Sequence, residues 1–167
     1  IGTIPYVYPT ELGNTRSYNE HLSKLFEIES FSNFTVLEDY LSGTGIKKIY
    51  AEKSGKKRTT EEIVSSYHED DLATFILNNF VVAMSNILQD LALTFNARGG
   101  IYFAGSLMRT ISEMSSINYI KEEFNEHTSE AHSKILKNIS INLITKEHTP
   151  LYGCLLYTSD AADDPTC

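Results

Sequence analysis

The sequence predicts an α/β fold in which a parallel sheet lies between helices. The first indication is the short apolar run 101–103, which is bracketed by glycines and stands between two helical patterns. Such a run is typical of a strand that is buried on both faces. The second indication is a long helical pattern over residues 71–95 that is apolar around much of its circumference, as expected of a helix packed between layers. The third is a β-compatible run near the end of the chain.

The strands are assigned from runs of β-branched and aromatic residues. The first such run ends at Pro9 and is followed by a polar loop, where a ligand site is expected in an open α/β sheet. The glycine turn after residue 103 leads directly into a helix, whose first backbone N–H groups are free to bind a ligand. Strands are therefore predicted over residues 3–8, 31–36, 101–103 and 139–144.

The helices are assigned from apolar spacing of three to four residues and from their capping residues. Ser17 and Glu20 have the spacing of a capping box, and Thr59 or Thr60 is expected to cap a short helix. The segment 42–45, Ser-Gly-Thr-Gly, is expected to stop a brief helical turn. Helices are therefore predicted over residues 18–29, 46–53, 60–67, 71–95, 107–113, 117–124 and 131–137, with a single turn at 37–41.

Composition limits the function classes. The chain has 167 residues, 41% of them hydrophobic, and we expect no membrane span and no secretory signal, hence a cytoplasmic protein. The segment 154–167 reads like the translation of a sequencing adapter, so we expect 1–153 to be native and 154–167 to be a foreign tail. A polar natural terminus is the alternative. Without the three aspartates of that segment the formal charge of −8 becomes −5, which argues against nucleic-acid or membrane partners.

Several features offer little chemistry by themselves. Both cysteines lie in the expected tail, so disulfides, thiolate metal sites and a cysteine nucleophile are excluded from the native part. His127 and His132 are five residues apart, off the helical spacing of a metal-binding pair, and we predict no metal site. The basic loop 53–58 lacks a flanking phosphate-loop pattern, so a solvated surface loop is favoured over a phosphate site.

Four motifs, the last of them in two segments, together resemble motifs of the bacterial glucokinases. Residues 99–107, Gly-Gly-Ile-Tyr-Phe-Ala-Gly-Ser-Leu, resemble the family's GGVYIAGGI, and residues 37–46 resemble its ERVLSGPGL. Residues 10–14 resemble SEGGH, and the segments 139–144 and 149–153 resemble IPVYLI and PGLLG. The four motifs occur in the family order over nearly all of residues 1–153. The resemblance implies the ribonuclease-H-like, actin-like ATPase fold, with this chain forming part of the larger, carboxyl-terminal domain of a two-domain sugar kinase.

The resemblance also implies a sugar site and a nucleotide site. Glu11, Asn14 and Glu38 fall at positions where the family binds sugar hydroxyls, and carboxylates are strong acceptors for such hydroxyls. Gly105 and Ser106 fall in the nucleotide element. Asn14 replaces the family's histidine, so the resemblance does not fix which hexose is preferred. Ser106 replaces a glycine of the family motif, which requires a negative φ at that position. Without the resemblance, Glu11 reads as a solvated loop carboxylate and Glu38 as a helix-terminal charge.

The expected activity is ATP-dependent phosphorylation of glucose, with ATP and Mg²⁺ bound mainly by upstream parts of the protein. In the family the catalytic aspartate and the phosphate-binding glycine loops precede the segments matched here, so no catalytic residue is assigned and this piece is expected to be inactive alone. The resemblance is compatible with a homodimer. A non-catalytic sugar sensor on the same fold is the rival interpretation, and a general α/β domain without a site is a third.

Overall fold

A computed structural model describes residues 18–29, 34, 37–114, 117–126 and 129–146. Seven α-helices, one 3₁₀ helix and two strands occur in these ranges. The helices are α1 (Tyr18–Leu25), α2 (Gly43–Ser54), α3 (Thr60–Ser65), α4 (Asp71–Thr94), α5 (Ser106–Met114), α6 (Ile117–Asn125) and α7 (Glu130–Leu136). The 3₁₀ helix is Leu37–Asp39, and the strands are β1 (Ile101–Phe103) and β2 (Ile141–Leu143). The predicted strands 3–8 and 31–36 lie outside the described ranges, apart from Phe34.

The two strands are parallel, as the sequence predicts. Ile101 pairs with Ile141 and Phe103 with Leu143. β2 is shorter than the predicted 139–144, because Ile139 still belongs to the turn after α7 and its N–H is bonded to the carbonyl of Leu136. The connection between the strands contains α5, α6 and α7, as parallel pairing requires a long crossover.

The expectation that β1 is buried on both faces is wrong. Phe103 is 8% exposed, whereas Tyr102 on the opposite face is 62% exposed. Successive residues of a strand point to opposite faces, so in the described part of the chain the core covers only the Phe103 face of this strand. An apolar run alone does not distinguish a strand covered on one face from a strand covered on both.

The core is organised around α4, the helix that the sequence predicts to be packed between layers. This helix begins after Asp70, whose Oδ1 accepts hydrogen bonds from the N–H groups of Leu72 and Ala73. It ends where Asn96 takes a left-handed φ of 49° and the N–H of Ala97 reaches the carbonyl of Ala92, the pattern of a helix C-terminus closed by a left-handed residue. Its buried side chains are Ala73, Ile76, Leu77, Phe80, Val81, Ala83, Met84, Ser85, Ile87, Gln89 and Ala92.

The apolar length of α4 also satisfies a simple test for a membrane span. An 18-residue window within Asp71–Thr94 has a mean hydropathy of 1.4, and half of that window is buried inside the protein. A core helix of a globular protein gives the same result, so the test is weak evidence for a span. The described contacts of α4 with α2, α6 and α7 are those of a core helix.

Gln89 joins α4 to the carboxyl end of α6. It is 5% exposed, and its Nε2 group donates to the backbone carbonyls of Glu123, Phe124 and Glu126 at 3.0, 2.9 and 2.6 Å. The last carbonyls of a helix have no partners within the helix. One side-chain amide therefore caps α6 from the core.

Candidate functional site

A cavity of about 610 Å³ lies between the first turns of α2, α3 and α5. This volume is in the range of small-molecule and cofactor sites, roughly 300–1,000 Å³. Its wall combines apolar, hydroxyl and charged groups. The lining residues are Ser42, Gly43, Thr44, Lys47, Thr60, Glu61, Val64, Ser65, Ser106, Leu107 and Thr110.

The predicted nucleotide residues lie at this cavity. Ser106 is the first residue of α5 and lines the wall, directly after Gly105, whose φ is +106°. A φ of that size strongly favours glycine, and a Cβ at Gly105 would meet no atom within 4 Å, so the space beside it is open. Ser106 is not among the residues with positive φ, so the substitution of the family glycine is tolerated as the sequence requires.

The segment Ser42–Gly45 starts a helix, which corrects the expectation that it stops one. Ser42 has extended backbone angles, and its Oγ accepts a hydrogen bond of 2.9 Å from the N–H of Gly45. This is an N-cap, so α2 begins at Gly43 and not at Ile46. A Cβ at Gly45 would lie 2.6 Å from the carbonyl oxygen of Tyr40, so the preceding turn and the helix can approach only because this residue is glycine.

The first residues of α2 and α3 are bonded to each other. Thr60 Oγ1 donates a 2.8 Å hydrogen bond to the carbonyl of Gly43, and a Cβ on Gly43 would lie 3.3 Å from that hydroxyl. Of the two caps predicted for α3, Thr59 or Thr60, the structure has Thr59. It forms a capping box with Glu62, with hydrogen bonds of 3.2 and 2.8 Å. These bonds fix two walls of the cavity relative to each other.

A second set of bonds holds the same helices at the base of α4. Asp70 Oδ2 accepts from Tyr50 Oη at 2.7 Å and from Arg58 Nη1 at 3.1 Å. Arg58 Nη1 also lies 3.3 Å from Ser66 Oγ, at the end of α3. The Tyr50 bond, the helix N–H groups of α4 and the nearby guanidinium together hold the pKa of Asp70 below its usual range. The same bond raises the pKa of Tyr50.

This set of bonds changes the interpretation of the basic loop. Arg58 is engaged with Asp70, and Lys53 Nζ forms a 3.2 Å ion pair with Glu27 with only 19% of its side chain exposed. Lys56 and Lys57 are exposed, as the sequence predicts for the whole loop. Two cations of the loop therefore hold neighbouring elements together, and the other two are solvated.

The cavity wall contains one cation and one carboxylate among the described residues. Lys47 and Glu61 come from α2 and α3, and both are exposed. Within the described part of the chain, neither side chain forms an ion pair or a hydrogen bond. Their donor and acceptor capacity remains available to a ligand.

Glu38 lies beside the cavity and not in its wall. It is an exposed residue of the 3₁₀ helix, four residues before Ser42, and its backbone carbonyl accepts a 2.7 Å hydrogen bond from Ser42 Oγ. The 3₁₀ helix is held on α2 by a 2.7 Å ion pair between Asp39 and Lys48. The backbone of Glu38 is thereby attached to Ser42, the residue that caps α2 and lines the cavity.

The other predicted sugar residues, Glu11 and Asn14, lie outside the described residues. The expected convergence of Glu11, Asn14 and Glu38 on one hexose thus stays a prediction. No group of three or more histidine, cysteine, aspartate or glutamate side chains that could hold a metal ion occurs in the described residues.

Sequence reasoning missed the contribution of α3 and the second half of the α2 motif. The sequence predicts Thr60 only as a possible cap, and it predicts Gly43 as part of a helix stop within the motif 37–46. The signal for the start of α2 is Ser42 itself. Serine is a preferred N-cap residue, and its side chain accepts a hydrogen bond from the backbone N–H two or three residues later.

The fold and the cavity define a class: an α/β protein with a cavity the size of a nucleotide site at the carboxyl end of a parallel strand. The family profile named Glucokinase matches residues 12–161. The chain therefore belongs to the glucokinase family.

Curated relatives agree with this assignment. The chain is 30% identical over 125 residues to a glucokinase of Saccharophagus degradans and 28% identical over 127 residues to one of Caulobacter vibrioides. A glucokinase of Chelativorans sp. is 25% identical over 134 residues. These matches cover 70 to 75% of this chain and 37 to 38% of the relatives. The chain thus spans little more than a third of the length of these relatives.

Proposed function

We propose that this chain is part of an ATP-dependent glucose kinase that transfers the γ-phosphoryl group of ATP to a hydroxyl of glucose, giving glucose 6-phosphate and ADP. The observation that carries the proposal is the cavity, because Ser106, which directly follows Gly105, and the Ser42–Gly43 segment both line it, and both belong to motifs that resemble those of the family. We propose the actin-like ATPase fold, with residues 1–153 in the larger domain, 154–167 as a foreign tail, and a cytoplasmic location.

The nucleotide fits the cavity by volume and by the nature of its wall. An open glycine turn at the carboxyl end of β1 allows close approach of a ligand to the backbone. Val64 and Leu107 offer apolar surface for a base, and the hydroxyl of Ser106 offers a donor at the start of α5. Because catalysis of phosphoryl transfer depends on positioning, the wall needs rigidity, and the Thr60–Gly43 bond supplies it.

Glucose is proposed to lie on the Glu38 side of the same segment, with Glu11 and Asn14. A carboxylate there accepts hydrogen bonds from sugar hydroxyls and orients the ring relative to the nucleotide. Mg²⁺ would accompany the phosphates of ATP, and we assign no residue of this chain to it. The catalytic aspartate is proposed to belong to the part of the relatives' length that this chain does not span.

The rival proposal is a sugar sensor on the same fold, which binds glucose without phosphorylating it. The two are separated by incubating the full-length protein with glucose, ATP and Mg²⁺ and measuring both products. The kinase proposal expects ADP and glucose 6-phosphate in equal amounts, dependent on glucose. Saturable glucose binding with no product would contradict it and favour the sensor.

A further inference from the structure

Glu38 is an exposed residue on a turn whose next two residues are firmly held. Asp39 forms a 2.7 Å ion pair with Lys48. Tyr40 is fully buried, and its hydroxyl lies 2.7 Å from Ser23 Oγ. The turn therefore holds the backbone of Glu38 in one place while the side chain stays accessible to a ligand.

Ser42 uses its hydroxyl in two directions. Its Oγ donates a 2.7 Å hydrogen bond to the carbonyl of Glu38 and accepts a 2.9 Å hydrogen bond from the N–H of Gly45. The first bond closes the turn that carries Glu38, and the second caps α2. One hydroxyl thus fixes the position of this turn relative to the helix that forms a wall of the cavity.

The two bonds make different demands on the side chain at position 42. The cap needs only an acceptor, which serine, aspartate and asparagine supply about equally well. The bond to the carbonyl of Glu38 needs a donor, and a hydroxyl supplies both a donor and an acceptor from one atom. Because only the donor bond reaches Glu38, substitution can separate the two roles of Ser42.

We propose that Ser42 is a positioning residue for the sugar: its hydroxyl holds the turn against α2, so that the Glu38 carboxylate meets a hexose hydroxyl in a fixed place beside the cavity. A displacement of about 1 Å can remove much of what a binding group contributes. The inference rests on the proposed function, in which Glu38 binds glucose. It deepens that function by naming a residue that acts on the sugar through Glu38.

The first test compares Ser42→Ala, which removes both bonds, with Ser42→Thr, which keeps both, in the full-length protein. Calorimetry measures glucose binding, and steady-state kinetics measures kcat/KM for glucose. We expect Ser42→Ala to lower both about tenfold, the scale of one lost hydrogen bond to a charged group, and Ser42→Thr to stay within about twofold of the parent. Ser129→Ala is the matched control, because Ser129 caps α7 and lies outside the described cavity wall. It should lower the melting temperature and leave glucose binding unchanged.

Ser42→Asp separates positioning from capping. Aspartate keeps an acceptor for the N–H of Gly45 but places an oxygen without a proton beside the carbonyl of Glu38. The melting temperature should fall less than in Ser42→Ala, whereas glucose binding should weaken at least as much. Parental glucose binding in Ser42→Asp would show that the hydroxyl only caps α2, and it would overturn the proposal.

A double-mutant cycle with Glu38→Ala decides whether Ser42 acts through Glu38. Once the Glu38 carboxylate is absent, Ser42→Ala should weaken glucose binding no further, and a second loss of the same size would contradict the proposal. Glucose binding without phosphorylation, weakened about tenfold in Ser42→Ala, would refute the proposed kinase alone. Phosphorylation that is unaffected by Ser42→Ala would refute the positioning role alone, and a parent protein that binds no glucose would refute both.

Discussion

The amide of Gln89 gives the sharpest test of how the described core is held. Replacing Gln89 by leucine still fills the space with a side chain, but it removes the donor group that binds three backbone carbonyls at the end of α6. Nε2 has only two protons, so at most two full hydrogen bonds are lost. At about 1–2 kcal/mol for each of two buried carbonyls left without a partner, the unfolding free energy should fall by about 2–4 kcal/mol.

The Gln89→Glu variant separates hydrogen bonding from packing. The shape is kept, but a carboxylate would face three carbonyl oxygens in a site that is 5% exposed, so the variant should be less stable than Gln89→Leu at pH 7. Burial should raise the pKa of the new carboxyl above its unfolded value. The folded state then binds more protons than the unfolded state, so this variant should regain stability, relative to the parent protein, as pH falls.

The assay is chemical denaturation with thermal melting at pH 7 and pH 5 on the full-length protein. A loss of 2–4 kcal/mol corresponds to a fall in Tm of about 6–12 °C for a domain of this size. Asn86→Asp on the same helix is the control, because Asn86 is only partly buried. A Gln89→Leu protein within about 0.5 kcal/mol of the parent would refute the capping role, since surface substitutions commonly reach that size.

Three further variants test the site and its support. Asp70→Asn should weaken the attachment of α4 and make stability depend less on pH in the acid range. A carboxyl whose pKa is lowered in the folded state stabilises the protein above its unfolded-state pKa near 4, and this stabilisation is lost as pH falls through the folded-state pKa. Thermal melts from pH 7 to pH 2 would show the difference between the variant and the parent. Gly45→Ala should destabilise the protein by about 1–3 kcal/mol because its Cβ would meet the carbonyl of Tyr40. Thr44→Trp, at an exposed wall position, should raise the KM for ATP severalfold and leave the melting temperature nearly unchanged, whereas an unchanged KM would place the nucleotide elsewhere.

Much of the described fold could be predicted because local signals and tertiary packing agree. The periodicity of α4 and the threonine cap of α3 are encoded within a few residues, and the structure confirms both. The parallel pairing of β1 with β2 was also predictable, because a long helical crossover leaves that arrangement as the favoured one.

The rest depended on contacts between distant segments. The exposure of Tyr102 reflects which face of the sheet is covered, and its own neighbours in sequence do not determine this. The wall formed by Gly43 and Thr60 depends on a bond across 17 residues. The glycine turn at Gly105 was predicted as a ligand element from its residues, but the cavity beside it became visible only when α2 and α3 were placed.

If sugar and nucleotide are bound on two sides of the motif 37–46, a change at Glu38 should affect the sugar and spare the nucleotide. Steady-state kinetics of Glu38→Gln in the full-length protein measures this difference. The substitution keeps the shape and removes the charge, so one or two hydroxyl bonds weaken by about 1 kcal/mol each, and kcat/KM for glucose should fall roughly ten- to a hundredfold. The KM for ATP should change less than about twofold, because Glu38 lies outside the cavity wall. Glu38→Ala should lower kcat/KM for glucose further than Glu38→Gln does. Parental glucose kinetics in Glu38→Ala, with an unchanged melting temperature, would contradict the account and leave Glu38 as a helix-terminal charge.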